Sequence, residues 1–162
     1  AYMQPEIVSS LILIDSYGAV KTPSYIDNLI EEIGHNPMLE ISNKNDYKIM
    51  MSLAMVKPPY IPGFMLDVLV ANMKMKKGLN KMIFEESKAD SDLTTILPNI
   101  ESPTLVIWGA DDKVLHIDSA DVFSRELKNC TKVVLAETGH VPMVENPRVT
   151  ASHIINFINK IT

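Results

Sequence analysis

The stretch "TLVIWGADDKV" (104–114) decides the fold. Five residues without charge lead into Gly109, and two aspartates, Asp111 and Asp112, follow at once. An apolar run of this length that ends at a glycine predicts a strand buried on both faces, as in parallel sheets. The two carboxylates either lie in a solvated turn beyond the strand or are presented by the strand to a site.

Two further segments predict strands, and a helix lies between the last two strands. "VSSLILID" (8–15) and "TKVVLA" (131–136) are apolar runs of strand length that likewise predict strands buried on both faces. The segment 116–129 has apolar residues at helical spacing, and we expect Asp118 or Ser119 to cap it. Its apolar face comprises Ala120, Phe123 and Leu127. The pattern therefore predicts a strand–helix–strand unit of a parallel sheet.

The segment 19–98 is predicted to be helical and to be inserted between the first strand and this unit. Its first helix would begin at a Thr22 cap and end at Gly34. Further helices are expected near 45–57, 62–75 and 77–88, separated by prolines and Gly78. We therefore divide the chain into an α/β core, 1–18 with 99–162, and a helical insertion, 19–98.

A final helix is predicted to start with Asn146 as its cap and Pro147 as its first residue. An apolar stripe is expected along this helix, formed by Ile154, Ile155, Ile158 and Ile161. Such a stripe would pack the helix on the sheet.

Composition excludes several classes of protein. Acidic residues outnumber basic ones by 20 to 15, and no basic stretch is long enough for a nucleic-acid interface. The single cysteine, Cys130, excludes an internal disulfide, and no apolar run approaches the roughly 20 residues of a membrane helix. The sequence shows no metal-ligand spacing and no phosphate loop, so we expect neither metal nor cofactor.

A histidine follows the third predicted strand, directly after Gly139. The carboxyl ends of parallel strands meet at one edge of a sheet, which would bring His140 near the carboxylates after the second strand. An aspartate there could accept a hydrogen bond from one ring nitrogen and leave the other free to take a proton. From the residues alone, a solvated carboxylate and an ordinary Gly-His turn remain open alternatives.

At these residues the sequence resembles a known superfamily. "SPTLVIWGADDKVL" (102–115) followed by "AETGHVPMVENPRVTASHIINFI" (136–158) resembles the C-terminal half of an α/β-hydrolase fold protein, in which one strand ends in Gly-x-x-Asp and the next in Gly-His. The 28-residue gap from Asp112 to His140 and the segment "FMLDVLVANMKMKKGLNKMIFEES" (64–87) are similar to monoacylglycerol-lipase-like serine hydrolases.

The resemblance implies a fold and a reaction. The chain would be the C-terminal part of a doubly wound α/β-hydrolase sheet, with about three parallel strands and 19–98 as its helical cap. The implied reaction is hydrolysis of a carboxylic ester, with a lipid-like acyl substrate and no cofactor. Asp112 would be the acid, His140 the base, and Asp111 a neighbour that orients the loop.

One part of the family pattern is missing. The nucleophile is expected in Gly-x-Ser-x-Gly, and no such motif occurs in these 162 residues. The chain alone is therefore expected to be inactive and to need a partner, either an N-terminal portion of the same protein or a second copy. The alternatives are a non-catalytic binding module that retains the fold and, among enzymes, a carbon–carbon bond hydrolase.

Most of the ten methionines fall in or beside the cap. They either fill its core or form an adaptable lining for an acyl chain. On the second interpretation, Phe64, Met65 and Met73 would face the substrate above His140.

Overall fold

The computed structural model describes residues 1–19, 22–89 and 92–161, with backbone only at 87–89. Its sheet has three strands, β1 (Leu11–Ile14), β2 (Thr104–Gly109) and β3 (Cys130–Leu135). All pairs are parallel, in the order β1-β2-β3. The predicted α/β class with about three parallel strands is confirmed.

Six α-helices and two short 3-10 helices accompany the sheet in the described residues. The α-helices are α1 (Tyr25–Ile33), α2 (Lys44–Ala54), α3 (Gly63–Ala89), α4 (Asp118–Glu126), α5 (Pro142–Glu145) and α6 (Pro147–Ile161), and the 3-10 helices are Pro5–Ile7 and Leu97–Asn99. No helix in the described part of the chain is both long and apolar enough to cross a membrane.

The central strand β2 carries the core, because helices cover both of its faces. Val106 and Trp108 pack with Phe123 of α4 on one side. Leu105 and Ile107 pack with Phe157 of α6 on the other side. All six residues of β2 are buried.

The prediction that all three strands are buried on both faces is wrong for the outer two. Every residue of β1 is only partly buried, and most of β3 is exposed or partly buried. Both strands lie at the edges of the described sheet, where the helical layers centred on β2 cover them less completely.

The cap of α1 is Ser24 and not Thr22. The Ser24 hydroxyl accepts from the Asp27 amide at 3.1 Å, and the Asp27 carboxylate accepts from the Ser24 amide at 2.9 Å. This reciprocal pair satisfies two amides that the first turn leaves unbonded, which a cap at Thr22 would not do. Thr22 instead donates to Asp118 Oδ2 at 2.8 Å. The predicted end of the helix at Gly34, in the left-handed conformation, is confirmed.

Gly78 does not interrupt the helix in which it lies, so the predicted break between 62–75 and 77–88 is wrong. One helix, α3, runs from Gly63 to Ala89. A single exposed glycine costs a helix only about 1 kcal/mol, which its neighbours of high helix propensity, including Lys74–Lys77 and Leu79, offset.

Two further sequence-based details of the helices change. Neither Asp118 nor Ser119 caps α4: its N-cap is Ile117, whose aliphatic side chain has no acceptor, and the Asp118 amide donates instead to Nδ1 of His116 at 3.2 Å. On α6, Ile155, Ile158 and Ile161 are exposed. Of the predicted stripe only Ile154 packs on the sheet, together with Phe157.

Candidate active site

The structure brings Asp112 and His140 together at the carboxyl ends of β2 and β3. The Nδ1 atom of His140 lies 2.9 Å from Oδ2 of Asp112. A carboxylate only accepts, so Nδ1–H donates this bond and, in the neutral ring, Nε2 carries no proton. The ring is thereby held in the tautomer that a general base needs.

Backbone amides fix the orientation of Asp112. Its side chain is fully buried, and Oδ1 accepts from the amides of Val114 at 2.8 Å and Leu115 at 3.0 Å. With Oδ1 held by the turn, Oδ2 is directed at His140. Asp111 is exposed, and its one hydrogen bond within the described residues runs from its amide to the carbonyl oxygen of Thr138 at 2.9 Å. Asp112 is therefore the carboxylate that meets the ring.

Two glycines let the loops that carry this pair approach each other. A Cβ at Gly109 would lie 2.1 Å from the carbonyl oxygen of Gly139. A Cβ at Gly139 would lie 2.6 Å from the carbonyl oxygen of Ala54, at the end of α2. The same Ala54 oxygen accepts from the His140 amide at 2.8 Å. The end of α2 thus contacts the backbone of His140 directly.

Glu145 supports the loop from its other side, and sequence reasoning did not assign it a role. Its Oε2 accepts from the Gly139 amide at 2.8 Å. Its Oε1 accepts from the amides of Val56 and Lys57, each at 3.0 Å. One carboxylate therefore joins the His140 loop to the segment that leaves α2. An acid five residues after His140 was the available signal.

Asp15 is a second site residue that sequence reasoning missed. It follows β1 directly, is 5% exposed and has a φ of +41°, which is uncommon for a residue with a side chain. Its Oδ1 accepts from the Gly109 amide at 2.9 Å, and among the described residues its buried Oδ2 has no hydrogen-bond partner. Its position directly after an apolar strand, like that of the Asp111–Asp112 pair, was the available signal.

Three strand ends thus contribute to one cluster. Asp15, Asp112 and His140 each present a side-chain atom within 4.8 Å of the other two. Such a set could in principle hold a cation, although no local spacing predicted it. Here the Asp112 Oδ2 and His140 Nδ1 atoms bond to each other, which suits proton transfer better than metal binding.

The charges in this cluster act on one another. The pKa of Asp15 is raised to about 7, mainly because the carboxyl is buried. The hydrogen bond from the Gly109 amide lowers this pKa, and the negative charge of Asp112 contributes to raising it. Burial lowers the pKa of His140, but the hydrogen bond and charge of Asp112, with a smaller effect of Asp15, raise it above its usual value overall. Imidazolium is therefore stabilised after the ring takes a proton.

A largely apolar cavity of about 340 Å³ lies beside His140, whose side chain is 25% exposed. Its apolar lining includes Ile26, Ile30, Met38, Leu39, Phe84, Val114 and Leu115. The apolar side chains come from the cap and from the turn after Asp112. The cavity has the size and character of a small-molecule site.

The predicted substrate contacts Phe64, Met65 and Met73 are not among the residues that line this cavity. Phe64 and Met65 are 73% and 46% exposed. The inward side of this part of α3 belongs to Leu66 and Val70, both buried, so the neighbouring side chains turn elsewhere. Among the lining residues, Phe84 is the one that α3 contributes.

The serine that lines the cavity, Ser24, is already engaged. Its Oγ donates to Asp27 Oδ2 at 2.8 Å and accepts from the Asp27 amide. This hydroxyl caps α1 and has no hydrogen bond to His140 in the described structure. The arrangement therefore supplies an acid and a base for acyl transfer, and no activated nucleophile among the described residues.

The parallel sheet, the helical segment between β1 and β2 and the contact of Asp112 with His140 all fit an α/β-hydrolase fold. The α/β-hydrolase fold family matches residues 1–147, and the chain belongs to this family. The chain is 30% identical over 152 residues to Lipase 3 of Moraxella sp. (strain TA144), covering 91% of this chain and 47% of that lipase. It is 28% identical over 153 residues to human monoacylglycerol lipase ABHD6, covering 94% and 42%.

A solved structure shows the same architecture. The crystal structure of a membrane phospholipase A, described as a bacterial virulence factor, superimposes with a TM-score of 0.90 at 33% identity. The match covers 97% of this chain and 51% of the phospholipase. The chain thus spans about half the length of the curated relatives and of the structure that it matches.

Proposed function

We propose that these residues form the cap and the acid–base half of a serine hydrolase that cleaves carboxylic esters with lipid-like acyl groups. The observation that carries this proposal is the 2.9 Å contact between Asp112 and His140, beside an apolar cavity. Lipase names among the relatives support an ester substrate, and the apolar lining supports an acyl chain.

In the proposed reaction His140 acts first as base and then as acid. Its Nε2 would take the proton of a serine hydroxyl as that oxygen attacks the ester carbonyl, and would then give the proton to the leaving alcohol. A water would repeat the sequence on the acyl-enzyme. Asp112 keeps the ring in position and stabilises the imidazolium. The buried amide contacts of Asp112 hold this geometry before substrate arrives.

The serine would come from outside these 162 residues, which contain no Gly-x-Ser-x-Gly. We propose that an N-terminal portion of the same protein, or a second copy, pairs with the edge of β1. No strand among the described residues occupies that edge. Met3 and Ile7, just before β1, are 90% and 71% exposed. Exposed apolar side chains of this kind are expected where another polypeptide segment packs.

The test is hydrolysis of p-nitrophenyl esters of graded chain length by the full-length protein. His140→Ala should nearly abolish turnover, and Asp112→Asn should lower kcat by about four orders of magnitude. Asp111→Asn is the matched control and should stay within about threefold of wild type, because its side chain is exposed and makes no contact with the ring. Wild-type turnover in His140→Ala would refute the proposal.

The 162-residue chain by itself should neither hydrolyse esters nor label with a serine-directed fluorophosphonate. Labelling of one site per chain would show that a nucleophile lies within these residues. Labelling of the full-length protein that disappears on mutation of an upstream serine would support the proposed division of the site.

A further inference from the structure

The outer face of α3 carries a stripe of apolar side chains. Its members, which we call the outer stripe, are Phe64, Val68, Ala71, Met75, Leu79 and Met82. They follow one another at separations of three or four residues, which places them on one side of the helix, over about 27 Å of its length. Val68 and Met75 are 67% and 82% exposed.

Packing within the described chain does not account for this stripe. The opposite side of α3 supplies the packing, with Leu66 and Val70 buried and Phe84 on the cavity. A surface helix needs one apolar face for its core contacts, and α3 has two. An exposed apolar surface of this length is typical of an interaction site.

Lysines flank the outer stripe. Between Val68 and Phe84 the helix has four lysines and no acidic residue. Lys77 faces Glu40 at 3.6 Å. The other three lysines are exposed: Lys74, Lys76 and Lys81. No carboxylate among the described residues lies within ion-pair distance of these three side chains. Helical spacing puts Lys74 and Lys81 on one side of the stripe and Lys76 on the other.

We propose that the outer stripe binds an anionic lipid surface, with α3 lying in the plane of the interface. The apolar side chains would enter the boundary between headgroups and acyl chains, and the flanking lysines would reach the anionic headgroups. The chain has a net charge of −5, so only a local positive patch of this kind can attract such a surface. A second copy docked stripe to stripe would instead bring lysines against lysines.

This inference does not depend on the proposed catalysis, although it places the cavity lined by Phe84 beside a source of lipid. The test is co-sedimentation of the full-length protein with phosphatidylcholine vesicles, with and without phosphatidylglycerol. We expect binding to the anionic vesicles. Val68→Asp with Met75→Asp should lower the partition coefficient by about tenfold or more. Lys74→Gln with Lys76→Gln and Lys81→Gln should lower it by about tenfold on anionic vesicles only.

Ile155→Asp is the matched control, because Ile155 is a 56% exposed apolar residue on α6, away from α3. It should bind as wild type does, and unchanged thermal unfolding should show that every variant is folded. The proposal is overturned if the wild type stays in solution with both vesicles, or if the aspartate variants bind as tightly as wild type. Conversion of a dimer to monomers by those variants would assign the stripe to a second copy. Failure of Met75→Cys to react with a maleimide would show that the stripe is covered within the protein.

Discussion

The Gly139 amide donates to Glu145 Oε2 at 2.8 Å, while the other oxygen of that carboxylate accepts from two amides that follow α2. The residue before His140 is thereby linked through one side chain to the segment that follows α2. We therefore expect Glu145 to position the His140 loop, since its contacts are with backbone amides on both sides of that loop.

Replacing Glu145 should therefore affect stability and turnover together. Glu145→Ala leaves three amides without their acceptor and should lower the free energy of unfolding by about 1–3 kcal/mol. Glu145→Gln keeps one carbonyl oxygen and should lie between Ala and wild type. Ester hydrolysis and urea unfolding of the full-length protein measure both effects. A loss of stability in Glu145→Ala with kcat unchanged would contradict the positioning role.

The buried Asp15 should make stability depend on pH. Its pKa is about 7 in the fold and 3.8 in the unfolded chain. Between these values the unfolded carboxyl is ionised while the folded one keeps its proton, so the free energy of unfolding falls as pH rises through this window. Asp15→Asn removes this dependence. The free energy of unfolding of the variant, relative to that of the wild type, should therefore increase from about pH 4 to about pH 7 and stay constant at higher pH.

Urea unfolding at several pH values measures this difference, with Asp111→Asn as an exposed control in the neighbouring turn. The control should keep the wild-type profile. An Asp15→Asn variant whose stability differs from wild type by the same amount at every pH would show that the carboxyl does not hold a proton in the fold. Asparagine tolerates the positive φ at this position, so backbone strain does not confuse the comparison.

Two glycines in the cap should respond in opposite directions to alanine. Gly78 lies within α3, and a Cβ there meets nothing within 4 Å, so Gly78→Ala should stabilise the protein by about 0.5–1 kcal/mol. Gly34 ends α1 with a φ of +75°, so Gly34→Ala should destabilise it by about 1 kcal/mol. Thermal or urea unfolding gives both values. The same sign for both changes would contradict the conformations described for these residues.

The open edge of β1 should prevent the 162-residue chain from existing as a folded monomer. Its residues Leu11–Ile14 are apolar, and the edge has neither proline nor lysine to block pairing. Light scattering of the isolated chain, with denaturing electrophoresis of the same sample, should show oligomers or aggregates. A cooperatively folded monomer of 18.1 kDa would disprove this expectation. Addition of a separately produced N-terminal portion should restore a soluble complex.

The sequence was sufficient for the sheet and for the central pair of the site. The apolar runs at 104–108 and 131–136 predict β2 and β3. Residues that directly follow parallel strands lie at the carboxyl edge of the sheet, where ligands bind. That argument places the turn of Asp111 and Asp112 near His140, and the choice of Asp112 came from the family resemblance. Their roles in catalysis remain the subject of the proposed tests.

The rest depended on contacts that no local pattern encodes. Asp15 joins the cluster because β1 pairs with β2, a contact between residues about 90 positions apart. Glu145 matters because α2 ends beside the His140 loop. The orientation of α3 decided that Phe84, and not Phe64 or Met65, meets the cavity, and that orientation is set by packing of Leu66 and Val70. Periodicity shows that such a helix has apolar faces and does not show which one is inside.

The hydrogen bond from the His140 amide to the Ala54 carbonyl has a consequence for protein engineering, because both atoms belong to the main chain. No change of side chain in the cap removes it, provided that α2 still ends at the same point. We therefore expect that the side chains lining the cavity can be replaced without displacing the backbone of His140. A chimaera with a foreign cap should keep a working histidine only if its corresponding helix delivers a carbonyl to this position.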